Sequence, residues 1–356
     1  MDLNVTTPVN SLGYGVVGLN IVAALERLGH EVALWPIGEI EAPDEHHDLL
    51  RRALERTGRF NPRAPSLRIS NQGNLAQHIG RGPHCGLPIF ELTRFTPVEL
   101  HHLGSQDLLF VASAWAKRVL VDNGVAGERV HVTPFGVDQA IFRFVGSIEP
   151  GPTVFLNVGK WEVRKGHDVL AEAFANAFTP GDEVRLVLVT HNPFYTPEES
   201  REWAEVFRGS RLGDKVQIVE ERLPSQRDVA ALMARADCGV FPYRAEGWNL
   251  GLAEMMAMGK HVIATNYSAP TEYLDAGNAR LIEVCQLVDA QDGKWNFGQG
   301  EWASFDDAQV EQLVEHLRAV HRLKQSGQLR PNGAARETMQ RFTWDGTASR
   351  IVSALA

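Results

Sequence analysis

The stretch "FPYRAEGWNLGLAEMMAMGKHVIATNYSAPTEYL", residues 241–274, joins the end of an apolar strand to a helix through a short polar loop. The strand is predicted to end at Tyr243, and the helix to begin at "NLGLAE" and end at Gly259. Glu246 lies in the loop, and Glu254 follows eight residues later. One carboxylate therefore precedes the helix, and the other lies about one turn inside it.

The loop between these carboxylates contains Gly247 and Asn249, which shape its path. Backbone N–H groups near Asn249 and Leu250 have no carbonyl partner inside the helix and suit an anion. Each acid taken alone has an explanation that needs no ligand. The helix dipole favours an acid such as Glu246 before the helix N-terminus, and Glu254 could be a solvated residue on the helix surface. Together they put two acceptors for sugar hydroxyls beside a phosphate-binding helix end, as a nucleotide-sugar site requires.

A second segment, "NVGKWEVRKG" at residues 157–166, contains a strand end, a glycine turn and two lysines before a helix. Ammonium groups at Lys160 and Lys165, next to a glycine turn and a helix start, suit an anion such as pyrophosphate. Taken alone, this spacing also fits a solvated basic loop. The downstream carboxylates favour the binding interpretation.

Outside these segments, strands alternate with helices in both halves of the chain, which is typical of α/β domains with parallel sheets. The Gly- and Pro-containing stretch "GSIEPGP" at residues 146–152 is the best linker candidate. We predict an N-terminal Rossmann-like domain over 1–147 on the acceptor side, and a C-terminal one over 152–333 on the donor side. Terminal helices over 334–356 are expected to cross back to the first domain.

Several elements of the first half follow from the pattern. "DLNVTT" and "GHEVALWPI" are predicted strands, with a helix over residues 16–28 between them. Further strands are predicted at "PIFEL", "LLFVAS" and "VHVTPFG". Residues 41–70 are charged and interrupted by proline, and we predict only helix and loop there.

The pattern G-x-G-x-x-G at Gly13, Gly15 and Gly18 resembles a dinucleotide-binding loop. In that fold the glycines follow the first strand at once, whereas here residues 8–12 lengthen the turn. The second strand should also end in an acid, and Glu39 is the only candidate. A nicotinamide site is therefore disfavoured. A turn that needs small residues, or a loop approaching a phosphate, remains open.

Composition sets broad limits. The 356 residues carry a net charge of −9, which argues weakly against a broad nucleic-acid surface but leaves a small basic cleft open. The 3 cysteines lack C-x-x-C spacing, and residues 1–11 lack a basic segment followed by an apolar run. No apolar run is long enough for a membrane helix. We therefore expect a cytoplasmic protein without a transmembrane segment.

In combination these motifs resemble the retaining glycosyltransferases called family 4, or group 1. "EGWNLGLAE" resembles the E-x₇-E signature of that family, "VGKWEVRKG" its phosphate loop, and "GYGVVGLNIVAALERLGHEV" its opening loop and helix. Residues 107–142 and 155–275 carry most of the similarity. The resemblance implies a GT-B fold, in which two Rossmann-like domains with parallel sheets face one another across a cleft.

The resemblance also implies roles for individual residues. Glu246 is expected against the hydroxyls of the transferred sugar, with the amides near Asn249 and Leu250 against the sugar and the distal phosphate. Glu254 is expected at the ribose of the nucleotide, and Lys165 at the pyrophosphate. Glu246 and Lys165 are the expected catalytic residues.

Three further residues are assigned to the site less directly. Gly15 is expected in the loop that closes over the donor. Lys160 stands where the family commonly has arginine, so it keeps the charge but loses the bidentate fork. Glu91 is a candidate for the acceptor side, and no histidine can be assigned to the sugar.

The function implied is transfer of a sugar from a nucleoside-diphosphate sugar to an acceptor hydroxyl, with retention of anomeric configuration. No metal or other cofactor is expected, because the cations and the helix end can stabilise the leaving diphosphate and no D-x-D is present. A glycan or glycolipid is the first-ranked acceptor. Modified DNA bases, a small molecule, sugar-nucleotide epimerisation and non-catalytic sugar binding remain alternatives.

Overall fold

The computed structural model describes all residues from Met1 to Ala356. The chain divides into two compact units, one made of Met1–Val137 with Phe342–Ala356 and the other of Asp138–Arg341. Each unit contains a six-stranded sheet in which all neighbouring strands are parallel. No helix is both long enough and apolar enough to cross a membrane.

The first unit alternates strands and helices, and its sheet has the order β2-β1-β3-β4-β5-β6. Its elements are β1 (Asp2–Thr7), α1 (Gly13–Arg27), β2 (Glu31–Pro36), α2 (His47–Glu55), β3 (Ser66–Ser70), β4 (His84–Pro88), α3 (Pro97–Gly104), β5 (Leu108–Val111), α4 (Ala114–Asp122) and β6 (Val130–Val132). The last helix of the chain, α11 (Trp344–Leu355), also belongs to this unit.

The structure corrects two predictions in this unit. Residues 41–70 contain the central strand β3 besides helix and loop, and every residue of β3 is buried. The charged Arg68 interrupts the apolar pattern expected of a buried strand. In the fold, its guanidinium donates to the Asn74 carbonyl at 2.6 Å and to the Asn74 side-chain oxygen at 2.9 Å. "PIFEL" is not a strand, because β4 ends at Pro88.

The second unit has the sheet order β12-β11-β10-β7-β8-β9 and a separate two-stranded antiparallel hairpin. Its elements are β7 (Thr153–Val158), α5 (His167–Ala177), β8 (Val184–Val189), α6 (Pro197–Arg208), β9 (Val216–Val219), α7 (Gln226–Arg235), β10 (Cys238–Phe241), α8 (Leu250–Ala257), β11 (His261–Thr265), β12 (Arg280–Ile282), the hairpin strands β13 (Leu287–Gln291) and β14 (Phe297–Ala303), α9 (Asp307–Gln325) and α10 (Gly333–Met339). The hairpin and α9 were not predicted.

The core of the second unit positions its loops. Phe155 on β7, Phe174 on α5 and Leu317 on α9 belong to one buried cluster. β7 lies between β10 and β8, so the chain order of the strands reverses beside it. In open parallel sheets, ligands bind beyond the carboxyl ends of the strands at such a point. The loops after β7 and β10 are therefore the first place to look for a site.

Candidate active site

Two loops of the second unit form the candidate site. One follows β7, contains a short 3₁₀ turn over Val163–Lys165, and leads into α5 through Gly166. The other follows β10 and leads into α8. Cys238 of β10 pairs with Phe155 of β7, so the two loops leave neighbouring strands side by side.

Glu246 is the centre of the site. Its side chain is only 5% exposed, and Lys165 Nζ lies 2.6 Å from one carboxylate oxygen. Arg164 Nη1 lies 3.2 Å from the other oxygen. Both oxygens of the carboxylate are therefore paired with cations from the loop after β7.

Glu162 is a second carboxylate in the same cluster. Lys160 Nζ and Arg164 Nη2 each lie 2.8 Å from one of its oxygens. Burial opposes ionisation of Glu162, but Arg164, Lys160 and Lys165 outweigh it and hold its pKa at about 2. The cluster thus has three cations against two carboxylates, and its net charge of +1 suits an anion.

The structure places three of the predicted site residues, Lys160, Lys165 and Glu246, in one charged cluster. Sequence reasoning missed Arg164 and Glu162, which connect them. The alternation of acid and base in "KWEVRK" was the available signal. Alternating charge alone does not tell which side chains turn inward.

The N-terminus of α8 follows Glu246 in the chain. Asn249 caps it in a left-handed conformation (φ 66°), and its side-chain oxygen accepts from the Leu252 N–H at 3.1 Å. The N–H groups of Leu250 and Gly251 precede the first bonds within the helix. The buried Gly247 lies between the carboxylate and this helix end.

Glu254 lies on α8 and is buried. Burial raises its pKa to about 8, so the carboxyl group is mainly protonated at pH 7 in the ligand-free protein. A carboxyl group whose pKa is strongly raised by burial, on a helix that begins beside a charged cluster, is a candidate for a functional site.

A cavity of about 220 Å³ lies at the carboxyl ends of β8 and β9. Its lining comes from the loop after β7, the loop after β8, the first turn of α6 and the end of β9: Trp161, Thr190, His191, Asn192, Pro193, Tyr195, Pro197, Ser200 and Glu220. Trp161 lies between Lys160 and Glu162 in the chain, so the cavity adjoins the loop that carries the charged cluster. Neither this cavity nor any other part of the chain contains a group of three or more His, Cys, Asp or Glu side chains placed to hold a metal ion.

The two remaining predicted residues, Gly15 and Glu91, lie in the first unit. Gly15 is in the first turn of α1, where a Cβ atom would lie 2.3 Å from the Asn10 backbone nitrogen. A Cβ atom on Gly18 would lie 2.1 Å from the Thr7 hydroxyl. Both glycines thus let α1 approach the end of β1. Glu91 is half-buried in the loop after β4.

The chain is similar in sequence to known glycosyltransferases. Residues 152–293 match the family model described as glycosyl transferases group 1. MMP α-(1→4)-mannosyltransferase of Mycolicibacterium hassiacum is 26% identical over 251 residues, which cover 69% of this chain and 53% of that protein. GDP-mannose:cellobiosyl-diphosphopolyprenol α-mannosyltransferase of Xanthomonas campestris is 33% identical over 135 residues. These residues cover 38% of this chain and 34% of that protein. The chain thus spans about half or less of the length of these curated relatives.

Among solved structures, Anabaena HepE in complex with UDP and glucose superposes with a TM-score of 0.70 at 17% identity, covering 100% of this chain and 99% of that one. At this identity the likeness shows the fold alone. Two Rossmann-like units, the matched family segment and the superposition agree with one another. Residues 152–293 therefore resemble the group 1 glycosyltransferases, and the chain has the GT-B fold.

Proposed function

We propose that the chain transfers a sugar from a nucleoside-diphosphate sugar to an acceptor hydroxyl, with retention at the anomeric carbon. The observation that supports this most directly is the pairing of Glu246 with Lys165 and Arg164 beside the N-terminus of α8. A carboxylate for sugar hydroxyls thus lies next to cations and amides for a diphosphate.

The leaving group sets the electrostatic requirement. Breaking the C1–O bond puts positive charge on the sugar and negative charge on the diphosphate. Lys165, with Lys160 and the amides of Leu250 and Gly251, stabilises that negative charge without a metal ion. The leaving phosphate then takes the proton of the acceptor hydroxyl.

Glu246 has a different task. Its carboxylate accepts from the hydroxyls of the transferred sugar and favours the positive charge that develops on the ring. For this, Lys165 exchanges Glu246 for the diphosphate, while Arg164 stays on the carboxylate because Glu162 holds its other amino group at 2.8 Å. Arg164 thereby keeps the carboxylate of Glu246 oriented.

The rest of the donor extends along the strand ends. Glu254 on α8 accepts from the ribose hydroxyls, and the base enters the cavity beyond β8 and β9. We also propose Gly15 as a donor-binding residue and Glu91 as an acceptor-side residue. The names of the curated relatives support a mannosyl group as the sugar and a glycan or lipid-linked glycan as the acceptor, and we propose the cytoplasm as the location.

Calorimetry with UDP-, GDP-, ADP- and TDP-sugars, first without metal and then with Mg²⁺, tests the donor site. We expect one nucleotide sugar to bind without metal, and Lys165→Ala to weaken that binding about tenfold or more. Lys215→Ala is the matched control, because the Lys215 ammonium donates to the Asp182 carbonyl before β8, at the opposite end of the strands from the site.

Turnover with the donor so identified tests the chemistry. Glu246→Gln should cut transfer by about 100-fold or more while the nucleotide still binds. Glu205→Gln, on the exposed face of α6, should change neither. Binding of NAD in place of every nucleotide sugar, or full transfer by Glu246→Gln, would contradict the proposal.

A further inference from the structure

Two residues other than glycine have positive φ in this chain: Asn249, three residues after Glu246, and Ser268, which is hydrogen-bonded to Glu246. Asn249 has φ 66° and ψ 79°, and Ser268 has φ 60° and ψ −151°. Asparagine tolerates the left-handed region, and its side chain caps α8 there. The conformation of Ser268 is essentially restricted to glycine and is strained for any residue with a Cβ.

The hydroxyl of Ser268 explains why a serine occupies this position. It accepts a hydrogen bond from the Glu246 N–H at 2.8 Å and donates one to the Tyr267 carbonyl at 2.7 Å. Ser268 is 1% exposed, so water cannot replace either bond. A glycine would adopt the same backbone without strain but would leave the Glu246 N–H unpaired.

The next residue holds Glu246 from the other side. The Ala269 N–H donates to the Glu246 carbonyl at 3.2 Å. The Ser268 carbonyl is held in turn, since the Thr271 hydroxyl donates to it at 2.7 Å. The segment Ser268–Ala269 therefore pairs both main-chain polar groups of Glu246.

We propose that Ser268 is a positioning residue, which accepts backbone strain in order to fix the main chain of Glu246 for reaction. This rests on the proposed function, in which Glu246 faces the transferred sugar. Lys165 leaves Glu246 when the diphosphate binds, so the side chain then keeps only Arg164. The main-chain bonds from Ser268 and Ala269 do not change in that exchange, and they hold the carboxylate in place through turnover.

Two substitutions separate strain from positioning. Ser268→Ala keeps the strain and removes the hydroxyl, whereas Ser268→Gly removes both. We expect both variants to lower kcat by a similar factor, about fivefold to tenfold, because each lacks the same hydrogen bond. KM for the donor should change less than twofold. The Gly variant should melt several degrees above the Ala variant, because only it is free of strain.

Ser326→Ala and Ser326→Gly are the matched controls. Ser326 directly follows α9 with an ordinary φ of −80°, and its hydroxyl donates to the Leu323 carbonyl. Both controls should keep the kcat of the unaltered protein.

The outcomes distinguish this proposal from the proposed function. Full kcat in Ser268→Gly, or a kcat that follows Tm across the two variants, would overturn the positioning role and leave the transferase function standing. An unaltered protein that transfers no sugar from any donor would overturn the function itself.

Discussion

Burial of Glu254 makes the stability of the protein depend on pH, and thermal melts can measure that dependence. Its pKa is about 8 in the folded protein because the side chain is buried, against an ordinary value of 4.5. Between these pH values the folded state keeps a proton that the unfolded state has released. Stability contributed by this residue therefore falls as pH rises from 4.5 to 8, and stays low above that.

Glu254→Gln should remove this pH dependence, since glutamine is uncharged at every pH. We expect the variant and the unaltered protein to have similar Tm near pH 4.5, and the variant to be higher by several degrees at pH 8. Each pKa unit corresponds to about 1.4 kcal/mol, and 1 kcal/mol moves Tm by about 2–4 °C in units of this size. Ligand-free thermal melts from pH 4.5 to 9 measure this.

Glu205→Gln is the control for these melts, because Glu205 is exposed on α6. A Tm difference between Glu254→Gln and the unaltered protein that is the same at pH 5 and pH 8 would show that Glu254 titrates normally.

At the scale of single residues, the sequence allowed prediction of features set by the spacing of nearby residues. It did not allow prediction of contacts between residues that only the fold brings together. The interval between Glu246 and Glu254, with a glycine and a helix start between them, is a local pattern. The link from Arg164 to Glu246 joins residues 82 positions apart, in loops that meet only because β7 and β10 are neighbours. No local pattern contains that information.

The loop after β7 and the start of α5 show how an element depends on one glycine. Gly166 has φ 72° and caps α5, and a Cβ atom there would lie 1.9 Å from the Pro242 carbonyl oxygen. The same contact sets the distance between the cationic loop and the loop of Glu246.

Gly166→Ala should therefore separate these loops. We expect a lower Tm, because a backbone clash and an unfavourable φ coincide, and donor affinity weakened by about tenfold or more. Calorimetry and thermal melts measure both. Gly181→Ala is the control, since its nearest neighbour is 3.8 Å away and its φ is not positive. Equal donor affinity in Gly166→Ala would show that the loops are not set by this contact.

Strands and helices could be predicted from the sequence where their apolar residues follow a regular hydrophobic pattern. β7 to β10 are apolar runs that alternate with helices, as expected for strands of a parallel sheet, and each is a strand in the structure. β3 was missed because Arg68 is polar in sequence yet satisfied by Asn74 in the fold. The hairpin β13–β14 lacks a buried face along most of β13, so its sequence has no clear period.

At the scale of the molecule, the chain leaves the first unit after Val137 and returns to it at Phe342. The Val137 N–H donates to the Phe342 carbonyl at 3.1 Å, and the Thr347 hydroxyl to the Pro134 carbonyl at 2.7 Å. A Cβ atom on Gly136 would lie 2.1 Å from the Trp344 nitrogen. The C-terminal helix is thus part of the first unit, although more than 200 residues separate it from its partners in sequence.

Trp344 tests this arrangement. It is buried at the start of α11, and its ring stacks on Phe135 at a centroid distance of 6.0 Å. Trp344→Ala should cost about 3–5 kcal/mol and lower the melting transition of the first unit by several degrees or more. Trp295→Ala is the matched control, because Trp295 is 50% exposed on the hairpin of the second unit. If both variants melted like the unaltered protein in calorimetric scans, the first unit would not depend on α11, and the terminal helix would be an appendage rather than part of its core.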